Sequence, residues 1–564
     1  MTADEPMTAD EPMTLSGGQL LVGCLEAQGV TAGFGVPGES YLDVLDALHD
    51  SSIRFVGCRQ EGGAAYSASA WGRLTGQPGI AFVTRGPGAT NASVGLHTAM
   101  QDSSPMILFV GQASLDHLGR EAFQEVDYRA FFGPLVKWAT QIESADRIPE
   151  IISRAFMTAQ SGRPGPVVVA LPEDVLSAQT TAVPGRAVSV AEPAPSAKVM
   201  QFVVELLNTS ERPLVIAGNL RGSVENRAAL AAFATAHHLP VAASFRANDV
   251  IDNHSASYVG DAGVGMAPHV QRLISEADLI IAVDVRFDEM MTKAYTLFEM
   301  PDASQRIVHV HPSDGEIGKI VQPTIAVQSS SRLFWDALAA SDLTTPPGRV
   351  DWCARARADQ VAALTAPTQP GDLDMAAIML WLQEHLPAEV IFTNGAGNFA
   401  AWPNKFFAFG PKARLLAPES GSMGYGLPAA IAAGVAEPLR TVVAFVGDGE
   451  FQMTIQELGT AAQAGVEPIV LVFNNGTYGT IRMHQERTYP GRVSGTEIMN
   501  PDFVAIGEAY GFHAERVERT EQFANAFGRA MASDTGAVIE LMMPPNQLTA
   551  TLSVDDLRGA NHKN

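Results

Sequence analysis

Short runs of apolar residues alternate with helix-like segments along most of the chain. In the first part, GQLLVGCLEAQGV at 18–30 has the apolar spacing of a helix, whereas SPMILFVGQ at 104–112 and GPVVVALP at 165–172 have that of short strands. Apolar runs of about four to eight residues between helices are typical of strands buried on both faces of a parallel sheet. The pattern therefore predicts an α/β fold.

The same alternation occurs in three blocks separated by two linkers. A stretch rich in Pro, Ala and Ser, TTAVPGRAVSVAEPAPSA, separates the first block from the second, and TTPPGRV separates the second from the third. A chain of 564 residues is long enough for about three domains. We predict a disordered leader followed by three doubly wound parallel-sheet domains, with the bounds 1–14, 15–185, 195–345 and 370–550.

Charge and cysteine content narrow the range of functions. The chain carries 37 basic and 61 acidic side chains, and this formal net charge of −24 argues against binding to nucleic acid or an anionic membrane by bulk attraction. No apolar run reaches the roughly 20 residues of a membrane span. The three cysteines are far apart in sequence, which argues against a disulfide framework or a zinc site and predicts a cytoplasmic location.

The most informative stretch is GDGEFQMTIQELGTAAQAGVEPIVLVFNN at 447–475. Gly-Asp-Gly follows one strand-like run, Asn-Asn ends the next, and the segment between them has helical spacing. Ligands of such sheets bind at the carboxyl ends of the strands, where both pairs lie. The carboxylate of Asp448 and the amide oxygen of Asn475 are ligands suited to Mg²⁺, and the glycines let a phosphate approach the backbone. Each motif alone is common in turns, but the spacing favours a Mg²⁺-diphosphate anchor.

At these residues the chain resembles the thiamine diphosphate (ThDP)-dependent enzymes, and most of all the large subunits of acetolactate synthases. GDG followed by NN at this spacing is the cofactor motif of that family. Further segments occur in the family's order along nearly the whole chain: GVPGES, RQEGGAAYSASAWGRLTG, RGPGATN, EAFQEVD, GRPGPVVVALPEDV, VRFDE and GSMGYGLPAAI. The resemblance implies a pyrimidine-binding, a central and a diphosphate-binding domain. It also implies ThDP- and Mg²⁺-dependent decarboxylation of a 2-keto acid, with carboligation to a second carbonyl compound.

The resemblance also implies roles for individual residues. Glu61 matches the glutamate that hydrogen-bonds the aminopyrimidine ring of the cofactor and so promotes deprotonation of the thiazolium ring, and Gln124 matches an active-site glutamine. Asp448, Asn475 and the backbone of Thr477 match the metal ligands. The other expected contacts with the cofactor are Gly397, Asn398, Ser422, Met423, Gly447, Gly449, Glu450, Tyr478 and Gly479.

Two further expectations concern the shape of the cofactor and the assembly. Met423 matches the apolar residue that supports the bent form of the cofactor. Glu61 belongs to the first domain and Asp448 to the third, and in this family the active sites form between two chains. The resemblance therefore implies a homodimer or homotetramer.

Several positions depart from the acetolactate synthase pattern. Tyr478, Thr480 and His484 stand where the synthases have leucine, methionine and a tryptophan that helps to select the second keto acid. His484 is therefore either a donor or proton-transfer group for the substrate, or a surface histidine. Gln60 replaces a histidine and Arg85 replaces a serine. An arginine there either reads a carboxylate or another anionic acceptor, or forms a structural salt bridge.

Two features of the central block bear on whether it binds a ligand. The synthases carry FAD there in a structural role, and Arg286, Phe287 and Asp288 match that pattern, whereas GDAGVGMAPH at 260–269 does not match its upstream segment. His309 and His311 lie on one face of a strand, which is a spacing that binds metals. No third ligand is apparent, which favours a structural role for the two histidines.

Other functions fit parts of the sequence. Gly395, Gly397 and Ala400 form a G-x-G-x-x-A match of the kind found in nicotinamide dehydrogenases, but a proline interrupts the helix that should follow. A non-catalytic protein of the same fold is disfavoured because Glu61 and Asp448 are both retained. Within the enzymes, a simple 2-keto acid decarboxylase, an oxidase that uses FAD and a lyase for another activated acid stay open.

Overall fold

The computed structural model describes residues 14–218, 223–365 and 371–561. In these ranges the chain forms three units, each built on a six-stranded parallel sheet with helices packed on it. We call them the N-terminal unit (15–180), the central unit (197–363) and the C-terminal unit (375–561). The predicted α/β fold with three doubly wound parallel sheets is confirmed. The leader predicted at 1–14 lies, except for Thr14, outside the described residues.

The N-terminal unit is closed by a small ribbon in which Leu15–Ser16 pairs with Gln179–Thr180. From edge to edge its sheet contains Arg54–Gly57, Ala32–Gly35, Gly79–Val83, Met106–Gln112, Pro166–Pro172 and Trp138–Gln141. Its helices are Gly17–Ala27, Leu42–His49, Glu61–Thr75, Pro87–Gln101, Tyr128–Phe132, Ile148–Gln160 and Glu173–Ser177.

The central unit extends past the boundary predicted at 345, because the helix Pro347–Ala363 packs back onto its sheet. Trp352 of that helix is buried and donates through Nε1 to the carbonyl oxygen of Pro213 at 2.8 Å. From edge to edge the sheet contains Tyr258–Asp261, Val241–Ala243, Pro213–Ala217, Leu279–Val283, Arg306–His311 and Ile325–Gln328. The other helices are Ala197–Thr209, Val224–Ala236, Pro268–Glu276 and Ser331–Ala339.

The C-terminal unit repeats the strand order of the N-terminal unit, which is 2-1-3-4-6-5 when the strands of each sheet are numbered along the chain. From edge to edge its sheet contains Arg414–Leu416, Ile391–Asn394, Val442–Gly447, Ile469–Asn474, Ala537–Met542 and His513–Val517. Its helices are Met375–His385, Ala401–Phe406, Gly426–Ala436, Asp448–Thr454, Leu458–Ala464, Gly479–Thr488, Phe503–Ala509, Thr520–Met531 and Val554–Asn561. A ribbon of Gln547–Thr549 and Leu552–Ser553 precedes the last helix.

Two helices rich in Ala and Gly join the N-terminal and C-terminal units. The helices Glu61–Thr75 and Gly426–Ala436 contribute side chains to one shared core cluster, and the hydroxyl of Ser67 donates to the carbonyl oxygen of Pro428 at 2.9 Å. Small side chains let two helix backbones approach closely. This packing fixes the helix that begins at Glu61 against the C-terminal sheet.

None of the helices in the described ranges is long and apolar enough to cross a membrane.

Candidate active site

The candidate site begins at the carboxyl ends of two adjacent strands in the C-terminal unit. The strands Val442–Gly447 and Ile469–Asn474 are parallel neighbours, with Gly447 paired to Phe473. Each strand is fully buried, so its polar residues can first appear where it ends. Asp448 and Asn475 therefore leave the sheet side by side, as the sequence predicts.

The carboxylate of Asp448 lies at the centre of a dense hydrogen-bond network. Its Oδ1 accepts from the backbone amide of Gly449 at 2.8 Å, and its Oδ2 accepts from the amides of Gly476 at 2.8 Å and Asn475 at 3.2 Å. Asn500 Nδ2 donates to the same Oδ2 at 2.8 Å. Burial raises the pKa of Asp448 above its ordinary value, although these hydrogen bonds lower it. A bound cation would favour the ionised form.

Asn500 is a functional candidate that the sequence analysis missed. Its Nδ2 donates to Asp448 and also to Oδ1 of Asn474 at 2.8 Å, while its Oδ1 accepts from Gln452 at 2.9 Å. The segment IMNPDF carries no pattern that points to this role. Only the fold brings Asn500 to the ends of the two strands.

The residues at this edge fit a magnesium ion that is shared with a phosphate group. Oδ1 of Asn475 accepts from the amide of Thr477 at 3.1 Å in a tight turn, and Thr477 itself is held by its hydroxyl, which donates to Thr496 at 2.8 Å. In the part of the chain that the structure describes, no three His, Cys, Asp or Glu side chains converge to hold a metal. A cation here would thus take one carboxylate, one amide oxygen and one backbone carbonyl from the chain, and its other oxygens from a ligand.

A cavity of about 230 Å³ opens beside these residues, and its wall is mostly apolar. Eleven of the predicted cofactor and metal residues line it: Gly397, Asn398, Met423, Gly447, Asp448, Gly449, Glu450, Asn475, Thr477, Tyr478 and Gly479. The sequence analysis did not assign the aromatic and aliphatic part of the wall, which includes Phe399, Trp402, Ile481, Met543 and Leu548. Gln547, Leu548 and Thr549 reach the cavity because the chain folds back after its last long strand, Ala537–Met542.

Glycine is required at 449 because of a neighbouring ring. A Cβ at this position would lie 2.5 Å from Cε1 of Tyr478 and 2.9 Å from Cδ1 of Ile498. The departure from the synthase pattern at Tyr478 therefore changes the surroundings of the glycine that is predicted to meet the diphosphate.

The side chain of Glu450 is turned into the protein. It is 1% exposed, and its carboxylate accepts from the amides of Ala396 at 2.9 Å and Gly426 at 3.4 Å. Burial raises the pKa of Glu450 to about 8, against the lowering effect of these amides and of Arg246. Any contact of Glu450 with a diphosphate would therefore come from its backbone rather than from its carboxylate.

The loop around Met423 is anchored by the N-terminal unit. The hydroxyl of Tyr66 lies 2.5 Å from the hydroxyl of Ser422 and donates to the carbonyl oxygen of Met423 at 3.2 Å. Ser422 uses its side chain in this anchor and does not line the cavity, whereas Met423 does. Tyr66 lies in RQEGGAAYSASAWGRLTG, and Ser422 and Met423 lie in GSMGYGLPAAI. The first motif therefore helps to hold the second in position.

Glu61 opens its helix under restraints from both units. Its Oε2 accepts from Nδ2 of Asn91 at 2.9 Å, and Gln60 caps the helix by accepting from the amide of Gly62 at 2.5 Å. The backbone amide of Arg59, which precedes Gln60, donates to the carboxylate of Glu457 in the C-terminal unit at 3.2 Å. Gln60, which replaces the family's histidine, thus has a structural task.

Gln124 and Glu61 both lie against the glycine-rich loop RGPGATN at 85–91. Its backbone is in the left-handed region with φ +61°, and a Cβ at Gly86 would lie 2.8 Å from the Cβ of Gln124. A Cβ at Gly88 would lie 3.3 Å from Oε1 of Glu61. RGPGATN therefore brings Glu61 and Gln124 to one place in the N-terminal unit.

Within one chain, the structure does not bring Glu61 and Gln124 to the cavity. All residues that line the cavity in the described ranges fall between Ala396 and Thr549, in the C-terminal unit. His484 is exposed on the helix Gly479–Thr488 and does not line the cavity either, although Thr480 of the same helix does. The residues predicted for catalysis and ThDP binding thus lie in two of the three units, with Glu61 and Gln124 in the N-terminal unit and the others in the C-terminal unit.

Arg85 is engaged in a structural ion-pair network. Its guanidinium pairs with Glu39 at 3.2 Å and with Glu173, and it lies over the ring of Phe123. Its side chain is only 10% exposed. The structure therefore favours the salt bridge over the binding of a substrate carboxylate.

The three residues matched to FAD occupy a cluster that is already paired. Arg286 contacts Asp288 at 3.1 Å, Glu419 at 3.6 Å and Gln101 at 3.3 Å. Phe287 is buried, with its ring edge-on to His309. The ring of Phe287 thus has no open face for a flavin, and both terminal nitrogens of Arg286 already have protein partners.

The two histidines of the central sheet are also buried and bonded. Nε2 of His309 lies 3.0 Å from the carbonyl oxygen of Val285, and Nδ1 of His311 accepts from the amide of Ser313 at 3.0 Å. Burial lowers the pKa of both rings. This arrangement supports the structural role.

Comparison with known proteins agrees with this geometry. Three family models match in order along the chain: the N-terminal TPP binding domain of thiamine pyrophosphate enzymes at residues 15–131, their central domain at 200–338 and their C-terminal TPP binding domain at 395–541. The chain belongs to the thiamine pyrophosphate enzyme family. It is a thiamine pyrophosphate-dependent enzyme of the acetolactate synthase-like type, and the dehydrogenase and non-catalytic interpretations are set aside.

Curated relatives are similar over almost the whole chain. The large subunit of acetolactate synthase isozyme 2 from Escherichia coli (strain K12) is 33% identical over 527 residues, which cover 92% of this chain and 94% of the relative. The acetolactate synthase large subunit of Parasynechococcus marenigrum is 32% identical, with 95% of this chain and 91% of the relative covered. The mitochondrial acetolactate synthase catalytic subunit of Saccharomyces cerevisiae is 31% identical, with 92% and 79% covered.

Proposed function

We propose that this enzyme depends on Mg²⁺ as well as ThDP, decarboxylates a 2-keto acid, and joins the resulting acyl unit to a second carbonyl compound. The observation that carries the proposal is the edge formed by Asp448 and Asn475, which faces a cavity that also contains Met423. The similarity to acetolactate synthases supports the carboligation step.

Each group of residues has a separate task in this proposal. Bound ThDP would supply a carbon nucleophile for the keto group and an electron sink when CO₂ leaves. Asp448, the amide oxygen of Asn475 and the backbone of Thr477 would hold Mg²⁺ against the diphosphate. Met423 would support the bent cofactor. Glu61 would hold a proton at the aminopyrimidine ring and so set its protonation state.

The wall of the cavity gives the substrate its surroundings. Phe399, Trp402 and Leu548 would exclude water from the reacting groups, which strengthens every electrostatic contact inside. Thr480 lines the cavity near Tyr478, where the synthase pattern has other residues. We propose that these two positions adapt the site to its acceptor.

We further propose a homodimer, or a homotetramer built from dimers, in which a second chain completes each site. Glu61 and Gln124 lie outside the cavity of their own chain, and the family's chemistry needs Glu61 beside the cofactor. The N-terminal unit of a partner would bring both residues to the cavity.

No flavin step is part of this proposal. Arg286 and Asp288 pair with each other, and Phe287 is buried in the core. An absorption spectrum of the purified protein, followed by chromatography of whatever denaturation releases, would show whether FAD is bound. The cytoplasmic location expected from the cysteines stays a prediction.

The test of the function is a single reaction mixture. Purified protein is incubated with pyruvate, ThDP and Mg²⁺, and acetolactate, acetaldehyde and peroxide are assayed together. Acetolactate is the expected product. Acetaldehyde alone would identify a simple decarboxylase, and peroxide an oxidase. If pyruvate gives no product, a panel of larger 2-keto acids follows, and the absence of CO₂ release from all of them would refute the proposal.

A further inference from the structure

One peptide group in the wall of the cavity is held by two buried ionisable side chains from different units. The amide of Ala396 donates to Oε2 of Glu450 at 2.9 Å, and Nη1 of Arg246 donates to the carbonyl oxygen of Gly395 at 3.1 Å. These two groups belong to the same peptide bond. Glu450 comes from the C-terminal unit and Arg246 from the central unit.

The two side chains complement the dipole of the peptide group. A peptide group carries partial negative charge on its oxygen and partial positive charge on its N–H. The guanidinium of Arg246 lies at the oxygen and a carboxyl oxygen of Glu450 lies at the N–H, so both interactions favour one orientation of the peptide plane. Both side chains are buried, at 7% and 1% exposure. In such surroundings charge-assisted hydrogen bonds are stronger than in water.

The carboxylate of Glu450 is fitted closely to this place. A Cβ at Gly395 would lie 1.6 Å from Oε1 of Glu450, and a Cβ at Gly426 would lie 3.2 Å from it. Gly395 is thus required by the carboxylate rather than by an unusual backbone angle. The G-x-G match at 395–397, which resembles a nicotinamide motif, has a different physical origin here.

Arg246 is itself held in a strained and restrained position. Its φ is +62°, which is uncommon for a residue with a side chain and costs free energy that the surroundings must offset. Its carbonyl oxygen accepts from Nη2 of Arg73, which lies in the helix that begins at Glu61. Arg73 contacts Asp102 at 3.8 Å and Glu419 at 3.6 Å. All three units therefore contribute to the placement of this guanidinium.

We infer that Arg246 and Glu450 are positioning residues for the cofactor. By locking the Gly395–Ala396 peptide they fix the loop that follows, in which Gly397 and Asn398 line the cavity. The inference rests on the proposed function, and it assigns to the central unit a direct part in shaping the diphosphate end of the site. Neither residue needs to touch the cofactor with its side chain.

Arg227 provides a matched control. It is also buried in the central unit, and its Nη1 donates to the carbonyl oxygens of Ala413 in the C-terminal unit at 2.9 Å and of Asp249 at 3.1 Å. It does not line the cavity. A change at Arg227 thus removes a similar inter-unit contact without touching the Gly395–Ala396 peptide.

The experiment measures ThDP affinity and stability in parallel for the wild type, Arg246→Met, Arg246→Lys, Glu450→Gln and Arg227→Met. ThDP is titrated at saturating Mg²⁺, with the change in total tryptophan fluorescence, to which Trp402 in the cavity wall contributes, as the signal. Thermal unfolding of the cofactor-free proteins reports any general damage. Arg246→Lys keeps a donor for the carbonyl oxygen of Gly395 and tests rescue.

Arg246→Met should weaken ThDP binding roughly tenfold or more, as expected for the loss of a buried charge-assisted hydrogen bond. Glu450→Gln should weaken it by a similar factor, because the NH₂ group of Gln would face one of the two amides, of Ala396 and Gly426, that now donate to the carboxyl oxygens. Arg246→Lys should recover most of the affinity. Arg227→Met should lower the unfolding temperature about as much as Arg246→Met does. It should leave the affinity for ThDP within about twofold of the wild type. If Arg246→Met should fail to fold, Arg246→Lys and Glu450→Gln keep the comparison decisive.

The outcomes separate the inference from the function on which it rests. Wild-type protein that does not bind ThDP would refute the proposed function. Wild-type protein that binds ThDP, with Glu450→Gln and Arg246→Met binding equally well, would refute only the positioning role. An equal loss of affinity in Arg227→Met would show that inter-unit packing in general, not this peptide, sets the affinity.

Discussion

The backbone amide of Asn475 donates to the carboxylate of Asp448 at 3.2 Å, although the two residues are 27 positions apart in the chain. The contact exists because two adjacent parallel strands end at the same level of the sheet. It joins the two motifs that the sequence presents separately into one oxygen-rich edge of a cavity.

Replacing Asp448 by Asn tests the proposed Mg²⁺-diphosphate anchor. The change keeps the size of the side chain but removes the negative charge that a cation requires, so Mg²⁺-dependent ThDP binding should weaken about 100-fold or more. Titration of ThDP at several Mg²⁺ concentrations measures this. The control is Asp502→Asn, which alters the nearby cap of the helix Phe503–Ala509 and should leave binding unchanged. Equal affinities of Asp448→Asn and wild type would contradict the assignment.

Mixing two inactive variants tests whether the sites lie between chains. Glu61→Gln and Asp448→Asn chains should each be inactive yet folded. If each site takes Glu61 from one chain and Asp448 from the other, randomly reassembled dimers should recover about a quarter of wild-type activity, because half are mixed and each mixed dimer has one intact site. Sites contained within single chains would give no recovery. Circular dichroism of each variant checks folding.

Asn500→Ala tests the residue that the sequence does not reveal. The change removes the hydrogen bonds that Asn500 donates to Asp448 and Asn474 and the one that it accepts from Gln452. Each is worth about 1 kcal/mol, more where the acceptor is charged, so Mg²⁺ affinity should fall about tenfold while unfolding free energy drops by about 1–3 kcal/mol. Calorimetric titration of Mg²⁺ in the presence of ThDP measures the first effect. An unchanged affinity for Mg²⁺ would show that Asn500 has only a structural role.

Gly449→Ala tests the crowding by Tyr478. The new methyl group would lie 2.5 Å from the ring, so we expect a loss of stability of about 1–3 kcal/mol together with loss of ThDP binding. Gly528→Ala is the matched control, since a Cβ there meets nothing within 4 Å and the helix should gain about 0.5–1 kcal/mol. Adding Tyr478→Ala to Gly449→Ala should restore part of the stability, since only the contact with Cδ1 of Ile498 is left. Failure to restore it would place the clash elsewhere.

His311 should make stability depend on pH in the acid range. Burial, followed by the neighbouring His309, lowers its pKa to about 4, whereas Glu316 acts in the opposite direction. The unfolded chain takes up a proton near pH 6.5 and the folded chain only near pH 4, so the free energy of unfolding should fall as the pH drops between these values.

His311→Asn keeps an acceptor for the amide of Ser313 and removes this titration. Urea unfolding at pH 7 and pH 4.5 should therefore show a smaller loss of stability for the variant, with a difference on the order of 2 kcal/mol. His309, whose pKa is also lowered, should leave part of the pH dependence in place. Equal losses in wild type and variant would show that His311 is not the titrating group.

The sequence by itself determined the features that depend on local pattern. Strands buried on both faces of a parallel sheet are apolar at every position. The runs TVVAFV and PIVLVF therefore predict two such strands, and the polar residues that follow them mark where the strands end. Asp448 and Asn475 could therefore be predicted from the strand pattern, whereas Met423 was predicted from the family resemblance; all three line one cavity. The three blocks were visible because each repeats this local alternation.

Only the tertiary structure decided which distant residues meet. Asn500 and Leu548 reach the site because loops fold back over the sheet, and Arg246 reaches it because the central unit packs against the C-terminal unit; no local pattern records such contacts. The direction of a side chain is likewise a tertiary property. Burial turns the carboxylate of Glu450 onto the backbone of Ala396, and the position of its helix leaves His484 exposed.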